Sequence, residues 1–201
     1  MPPARLQNAE DIARLVAGQP AMIDMLRGVA ALALPDGWIG AGFIRNVVWD
    51  ALHGRAWTPS YGDVDVVYFD AGNLSLDRDI EFEAKLRAAM PDAPWSVKNQ
   101  ARMHAGNGDP PYADTADALR HWPETCTAVA VRLRAGQVDL LAPFGVGDLV
   151  ALIVTPTPAF ARKIDVYRAR VAQKQWALRW PKLRIDALGL DAATTARPGR
   201  R

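Results

Sequence analysis

The chain has 201 residues, of which 50% are hydrophobic, and it contains 24 lysines and arginines against 22 aspartates and glutamates. This length predicts one domain, and the apolar content predicts a buried core and excludes a wholly disordered chain. The single cysteine, Cys126, excludes a disulfide framework and a cysteine-rich zinc site, so we expect no disulfide-linked partner.

Helices are predicted over residues 8–35. The first begins at Asn8, whose side chain can cap it, and the second begins at Pro20, a residue favoured in the first turn. A short strand at Trp38–Ile39 leads into a glycine-rich turn. A helix follows from Phe43, because apolar residues recur there at helical spacing.

The clearest strand starts at Asp63 and ends at Asp70, since it is rich in β-branched and aromatic residues. The remaining predicted elements are a helix over 80–90, a strand over 95–100, a short helix over 115–122, a hairpin of strands over 127–133 and 138–141, and a helix over 158–174. This order predicts an α+β fold in which helices flank a central mixed sheet.

We therefore expect one domain over residues 1–190. It comprises N-terminal helices over 8–35, a catalytic core over 38–155, a C-terminal helical extension over 156–190, and then a disordered tail over 191–201.

The distribution of charge and apolar residues bears on location and partners. No apolar run approaches the ~18 residues that span a bilayer, and the N-terminus lacks the pattern of a secretory signal. We expect a cytoplasmic protein with no membrane partner.

Residues 1–161 have 13 basic and 19 acidic residues, whereas residues 162–201 have 11 basic and 3 acidic residues. The basic end either binds a polyanion or forms a solvated helix face with an arginine-rich tail.

Asp63 and Asp65 are two residues apart on the predicted strand, so both carboxylates lie on one face, roughly 7 Å apart. Two like charges repel, and a divalent cation between them makes the pair favourable. Asp139, between apolar residues of another predicted strand, supplies a third acid. Three carboxylates on neighbouring strands can hold two Mg²⁺ or Mn²⁺ ions for phosphoryl transfer. The alternative is that Asp63 ends a turn and that Asp65 lies on a solvent-exposed strand face.

The glycine-rich turn Gly40–Ala41–Gly42 joins a strand to a helix. Glycines let the backbone approach a ligand, and the first N–H groups of the helix point at an anion. Arg45, in the first helical turn, can contact a phosphate or a ribose, or form a surface salt bridge. We therefore predict nucleotide binding by Gly40, Ala41, Gly42, Phe43 and Arg45.

The segments Gly40–Asn46, Asp63–Asp65 and Val138–Leu140 together resemble the polymerase-β-type nucleotidyltransferase superfamily. The stretch from Gly42 to Asp63 is similar to the head of tRNA nucleotidyltransferases and poly(A) polymerases, which have an arginine–aspartate pair in place of Arg45–Asn46. Most of residues 35–185 resembles a bacterial nucleotidyltransferase-like family of unknown function. The matching segments are 45–49, 63–65, 95–104, 123–125, 142–145 and 176–181.

The resemblance implies metal-dependent transfer of a nucleoside monophosphate from a nucleoside triphosphate to an acceptor hydroxyl, with release of pyrophosphate. The acceptor is a small molecule, a protein or an RNA end. Asp63, Asp65 and Asp139 would be the catalytic and metal-binding residues.

Phe43 departs from the superfamily, which usually has glycine or serine there. That departure favours an inactive nucleotide sensor or partner-binding module on the same fold. A metal-dependent glycosyltransferase, which also uses an Asp-x-Asp pair, is a third interpretation.

Several other polar residues are predicted near this site. Lys98, Gln100, Arg102 and His104 share one face if their strand continues, and that face would contact the triphosphate or the acceptor; the alternative is a solvated strand edge. Asn46 and Thr125 are possible substrate-binding residues. We expect the tryptophans at positions 49, 176 and 180 to pack in the core.

Overall fold

A computed structural model describes residues 5–58 and 62–186 of the chain. The predicted tail over 191–201 and the last residues of the predicted domain lie outside this part. Two N-terminal helices, α1 (Ala9–Ala17) and α2 (Pro20–Ala31), begin where the sequence predicts them. Asn8 caps α1 through a reciprocal pair of hydrogen bonds with Asp11, and Pro20 opens α2.

The central elements alternate between strands and helices. They are β1 (Trp38–Gly40), α3 (Gly42–Leu52), β2 (Val64–Tyr68), α4 (Leu76–Ala89) and β3 (Trp95–Asn99), followed by a 3₁₀ turn (Gln100–Arg102), α5 (Met103–Asn107) and α6 (Thr115–Arg120). A hairpin of β4 (Ala130–Arg134) and β5 (Gln137–Leu141) then completes the main sheet. The C-terminal part contains α7 (Gly147–Val150), β6 (Ile153–Val154), α8 (Pro158–Ala161), α9 (Ile164–Lys174), α10 (Trp176–Arg179) and β7 (Arg184–Ile185).

The main sheet has five strands in the order β3-β2-β1-β4-β5. Strands β2 and β3 are parallel and the other neighbours are antiparallel, so the predicted α+β fold with a mixed sheet is confirmed. A second sheet pairs β6 with β7. No helix in the described ranges combines the length and the apolar character needed to cross a membrane.

The two faces of the main sheet have different surroundings. Val64 and Val66 of β2 belong to the large core that the N-terminal helices cover, whereas Val67 packs in a smaller cluster with Trp38 and Leu119. Because side chains alternate along a strand, Asp65 points to the same side as Val67. The periodicity of β2 therefore keeps Asp65 out of the main core.

The predicted strand over 95–100 ends one residue early, at Asn99. The buried side chain of Asn99 accepts a hydrogen bond from the Ala101 N–H and donates to the carbonyls of Asp70 and Asn73. This capping turns the chain into the 3₁₀ turn and then α5. The residues after Asn99 therefore do not share the strand periodicity that the sequence predicts.

Gly40 allows close packing between β1 and the ring of Trp122. A methyl group added at Gly40 would lie 2.7 Å from that ring. We expect Gly40→Ala to lower the free energy of unfolding by about 1–3 kcal/mol, measured by urea denaturation, because the ring must move in a packed cluster. Gly147→Ala is the control, since its methyl would meet no atom within 4 Å. Equal stability of Gly40→Ala and the parent would contradict this packing role.

Candidate active site

A cleft of about 370 Å³ opens between the start of β2, the turn before α3, and the junction of α9 with α10. Asp63 and Asp65 lie on one side of it, and Ala41, Gly42 and Arg45 contribute from the turn and the first part of α3. The other side is formed by Arg170, Lys174, Arg179 and the residues next to them. Residues from the acidic part of the chain and from its basic C-terminal part therefore line the same cleft.

Asp63 precedes β2 and is exposed, whereas Asp65 within β2 is partly buried. Within the described part of the chain, neither carboxylate makes a hydrogen bond or an ion pair. Burial raises the pKa of Asp65; the charge of Lys98 opposes this shift and the charge of Asp63 adds to it. A pair of like charges without its own counter-ion fits a divalent cation, which prefers carboxylate oxygens.

The turn before α3 has an unusual backbone. Ala41 has a φ of +53°, which residues with a side chain rarely adopt, and such a conformation costs of order 1–3 kcal/mol. The turn is held by a 3.0 Å hydrogen bond from the Ala41 N–H to the Val129 carbonyl. The first helical bond runs from Arg45 to Ala41, so the N–H groups between them have no partner within the helix.

Three of the five predicted nucleotide-binding residues line the cleft: Ala41, Gly42 and Arg45. Gly40 does not, because it packs under Trp122. Phe43 is buried in the core with its ring edge-on to Trp57, at a centroid distance of 6.4 Å. Its ring therefore does not enter the cleft, and its side chain supplies no contact to a ligand there.

Arg45 lies at the base of the cleft and is buried. It donates hydrogen bonds of 3.0 Å to the Thr127 hydroxyl and to the Asn46 side chain. Its guanidinium stacks on Trp49 and Trp176, 5.1 and 4.5 Å from the ring centroids. Its Nε has no hydrogen-bond partner in the described residues. Burial lowers the pKa of Arg45, and nearby acidic groups oppose that effect. Arg45 of α3 therefore contacts both the segment that precedes β4, through Thr127, and the C-terminal helices, through Trp176.

The opposite side of the cleft is a cationic wall, formed by Arg170, Lys174 and Arg179. Arg170 donates from Nε to Glu124 Oε1 at 2.7 Å, and Arg179 donates to Asp50 Oδ2 at 3.1 Å. The sequence analysis did not assign these three residues to the site. The available signal was the basic character of residues 162–201, which did not indicate where that segment folds.

Asp139 lies apart from the other two acids, contrary to the expectation of a carboxylate trio. It pairs with Arg132 across the hairpin and also forms an ion pair with Arg134, at 2.9 Å. Strands β1 and β4 lie between β2 and β5, and three strand spacings amount to roughly 14 Å. In the described ranges, no group of three or more histidine, cysteine or acidic residues could hold a metal ion.

The predicted face of Lys98, Gln100, Arg102 and His104 does not form, because the strand ends at Asn99. Lys98 shares the face of Asp65 but lies outside the cleft lining. Gln100 donates to the Lys98 carbonyl, and Arg102 pairs with Asp79 of α4. His104 bonds to the Ala101 carbonyl.

Thr125 and Asn46 have structural contacts rather than positions in the cleft lining. The Thr125 hydroxyl donates to Asp148 at 2.6 Å, and Asn46 is buried beside Arg45. The tryptophans pack as expected: Trp49 meets Trp176 and Trp180 edge-on, at centroid distances of 5.7 and 5.0 Å.

This sheet and its cleft define a nucleotidyltransferase fold. Residues 27–185 match the sequence model of a nucleotidyltransferase family, and the chain belongs to that family. An NMR structure described as a CCA-adding enzyme head domain is 31% identical, with a TM-score of 0.80, over 90% of this chain and 96% of that one.

Full CCA-adding enzymes share the fold at lower identity. The complex with ATP is 17% identical with a TM-score of 0.54, and the Thermotoga maritima enzyme with tRNA is 15% identical with a TM-score of 0.55. Each match covers 90% of this chain, but only 43% and 42% of those enzymes. This chain thus spans about two fifths of their length. No curated protein matches the chain.

Cys126 is fully buried behind Arg45. Burial raises the pKa of its thiol to about 12, against an opposing effect of Arg45. We expect the native thiol to resist iodoacetamide at about pH 8, because it is both protonated and inaccessible. Mass spectrometry of the labelled chain measures this, and labelling in guanidinium chloride is the control. Rapid alkylation of the native protein would contradict the placement of Cys126.

Proposed function

We propose that this chain transfers a nucleoside monophosphate from a nucleoside triphosphate to a hydroxyl group of an acceptor, using the cleft as its active site. One observation supports this most strongly. Two carboxylates that form no ion pair with any described residue line the same cleft as a cationic wall, at the strand-to-helix turn of a nucleotidyltransferase fold. Acids suited to a metal ion and cations suited to phosphates are the two requirements for binding a metal–triphosphate complex.

Asp63 and Asp65 would hold Mg²⁺ or Mn²⁺, with phosphate oxygens as further ligands. When bound, the metal neutralises phosphate charge and makes the α-phosphorus more electrophilic. Asp139 is left out of this assignment, because β1 and β4 separate it from the pair. The site we propose therefore has two protein carboxylates rather than three.

The chain's own groups would mainly position the reactants. The N–H groups at the start of α3, which have no partner within the helix, and the cationic wall bind the phosphates. The acceptor oxygen attacks the α-phosphorus and forms a new P–O bond, while the bond to the β-phosphate oxygen breaks and pyrophosphate leaves. We assign acceptance of the hydroxyl proton to the carboxylate pair. Catalysis would then rest on orientation and charge stabilisation.

The acceptor class is open to direct measurement. Structures of CCA-adding enzymes with ATP, with CTP and with tRNA suggest RNA ends as one group of acceptors to test. We propose to incubate the chain with each labelled nucleoside triphosphate, Mg²⁺ and fractions of RNA, protein and small molecules. Label transferred to one fraction identifies the acceptor class. Tight nucleotide binding without any transfer would instead support a sensor.

The carboxylate assignment is tested by Asp65→Asn. We expect it to reduce transfer about 100-fold or more, because the metal and the charge it stabilises are lost. The rate of labelled product formation measures this.

Asp139→Asn is the matched control, since it removes the same charge from β5, outside the cleft, and should leave the rate unchanged. If Asp139→Asn abolishes transfer while Asp65→Asn does not, the active site has been assigned to the wrong carboxylates.

A further inference from the structure

The three residues of the cationic wall differ in how they are supported. Lys174 is exposed at the end of α9, and in the described residues it makes no hydrogen bond or ion pair. Arg170 and Arg179 have side chains that are each 31% exposed, and each is paired with a buried carboxylate behind the wall. Two of the three cations are therefore held in direction by a buried carboxylate, and Lys174 is not.

Glu124 supports Arg170. Its side chain is fully buried, and Oε1 accepts the Arg170 Nε–H at 2.7 Å. Its other oxygen, Oε2, has no hydrogen-bond partner in the described part of the chain. In that part, Nε is the only Arg170 nitrogen with a hydrogen bond, so the two terminal nitrogens remain for a ligand in the cleft.

Asp50 supports Arg179 in a similar way. It is buried in α3, and one oxygen accepts the indole N–H of Trp180 at 2.8 Å. Its other oxygen accepts from Arg179 at 3.1 Å. The Arg179 guanidinium also stacks on the Trp180 ring, 4.5 Å from the centroid. Two contacts therefore fix the plane of Arg179 beside the cleft.

Stability alone does not account for these buried acids. A buried ion pair gains little over apolar side chains of similar volume, and an unpaired carboxylate oxygen is unfavourable. Fixing the direction of a guanidinium does have a use, because an arginine already held in place loses less conformational freedom when it binds an anion.

We propose that Arg170, Lys174 and Arg179 form the site for the terminal phosphates of the nucleoside triphosphate. Glu124 and Asp50 are positioning residues that hold Arg170 and Arg179 toward those phosphates. This inference rests on the proposed function, since Asp63 and Asp65 would bind the metal near the α-phosphate on the opposite side. The remaining phosphates then face the cationic wall.

The test uses inorganic tripolyphosphate and isothermal titration calorimetry on the full chain, with EDTA present so that the metal plays no part. We expect Glu124→Gln to weaken binding roughly tenfold, because the charge-assisted hydrogen bond that holds Arg170 becomes a weaker bond to a neutral amide. The sign of the change in tripolyphosphate affinity distinguishes positioning from simple electrostatics. The variant has one negative charge fewer, so simple electrostatics predicts tighter binding, and only loss of positioning predicts weaker binding.

Arg184→Gln is the control. It removes one charge from an exposed arginine of the same basic segment, outside the cleft, and should change the affinity by less than about twofold, as expected for an exposed charge. Arg170→Gln should weaken binding at least as much as Glu124→Gln. Combining Glu124→Gln with Arg170→Gln should add little further loss, because the two residues act as one unit.

Unchanged or tighter binding by folded Glu124→Gln overturns the positioning role. If thermal melting shows that this variant does not fold, Arg170→Lys replaces it. That substitution keeps the charge but not the guanidinium geometry, so it should also lose about tenfold in affinity. Parent-like binding by Arg170→Lys overturns the proposal.

The two proposals fail in different ways. If the parent transfers no nucleotide yet binds tripolyphosphate in a Glu124-dependent manner, the proposed function is wrong and the anion site stands. If transfer depends on Asp65 but tripolyphosphate binding ignores Glu124 and Arg170, the proposed function stands and this inference is wrong.

Discussion

The attachment of the C-terminal helices to α3 is the contact on which the cleft depends. Trp49 in the C-terminal half of α3 packs edge-on against Trp176 and Trp180, while Asp50 binds the Trp180 indole and Arg179. The N-terminal end of the same helix forms the cleft turn. A single helix therefore sets the distance between the turn and the cationic wall, and loss of the tryptophan cluster would remove one side of the site.

This arrangement brings the two oppositely charged parts of the chain to one cleft. The acidic part supplies the carboxylate pair, and Arg170, Lys174 and Arg179 of the basic part line the same cleft. Arg45 lies where the two parts meet, with its guanidinium over the rings of Trp49 and Trp176 and hydrogen-bonded to Thr127 near the sheet. Its charge is enclosed by aromatic rings and opposed by nearby acids, so it serves as a fixed positive centre beneath the cleft rather than as a mobile surface group.

Local features of the sequence predicted much of the fold. Capping at Asn8, the proline at position 20 and the alternation around Asp65 are short-range signals, and the corresponding elements are confirmed. Strand order is a long-range property. The sequence indicated that Asp139 lies on a strand, but not that β1 and β4 separate it from β2. The cationic wall was missed for the same reason, because its position depends on tryptophan contacts between residues more than a hundred positions apart.

Several unfavourable features lie together around the cleft. Ala41 has a positive φ, Asp63 and Asp65 repel each other, and one oxygen of buried Glu124 lacks a hydrogen-bond partner among the residues that the structure describes. Each of these lowers stability, and none is required by the packing of the sheet or its helices. A metal ion bound in the cleft would relieve the second of these, because it would neutralise the acid pair. The concentration of these unfavourable features at one place is a physical argument, independent of family membership, in favour of the active site that we propose.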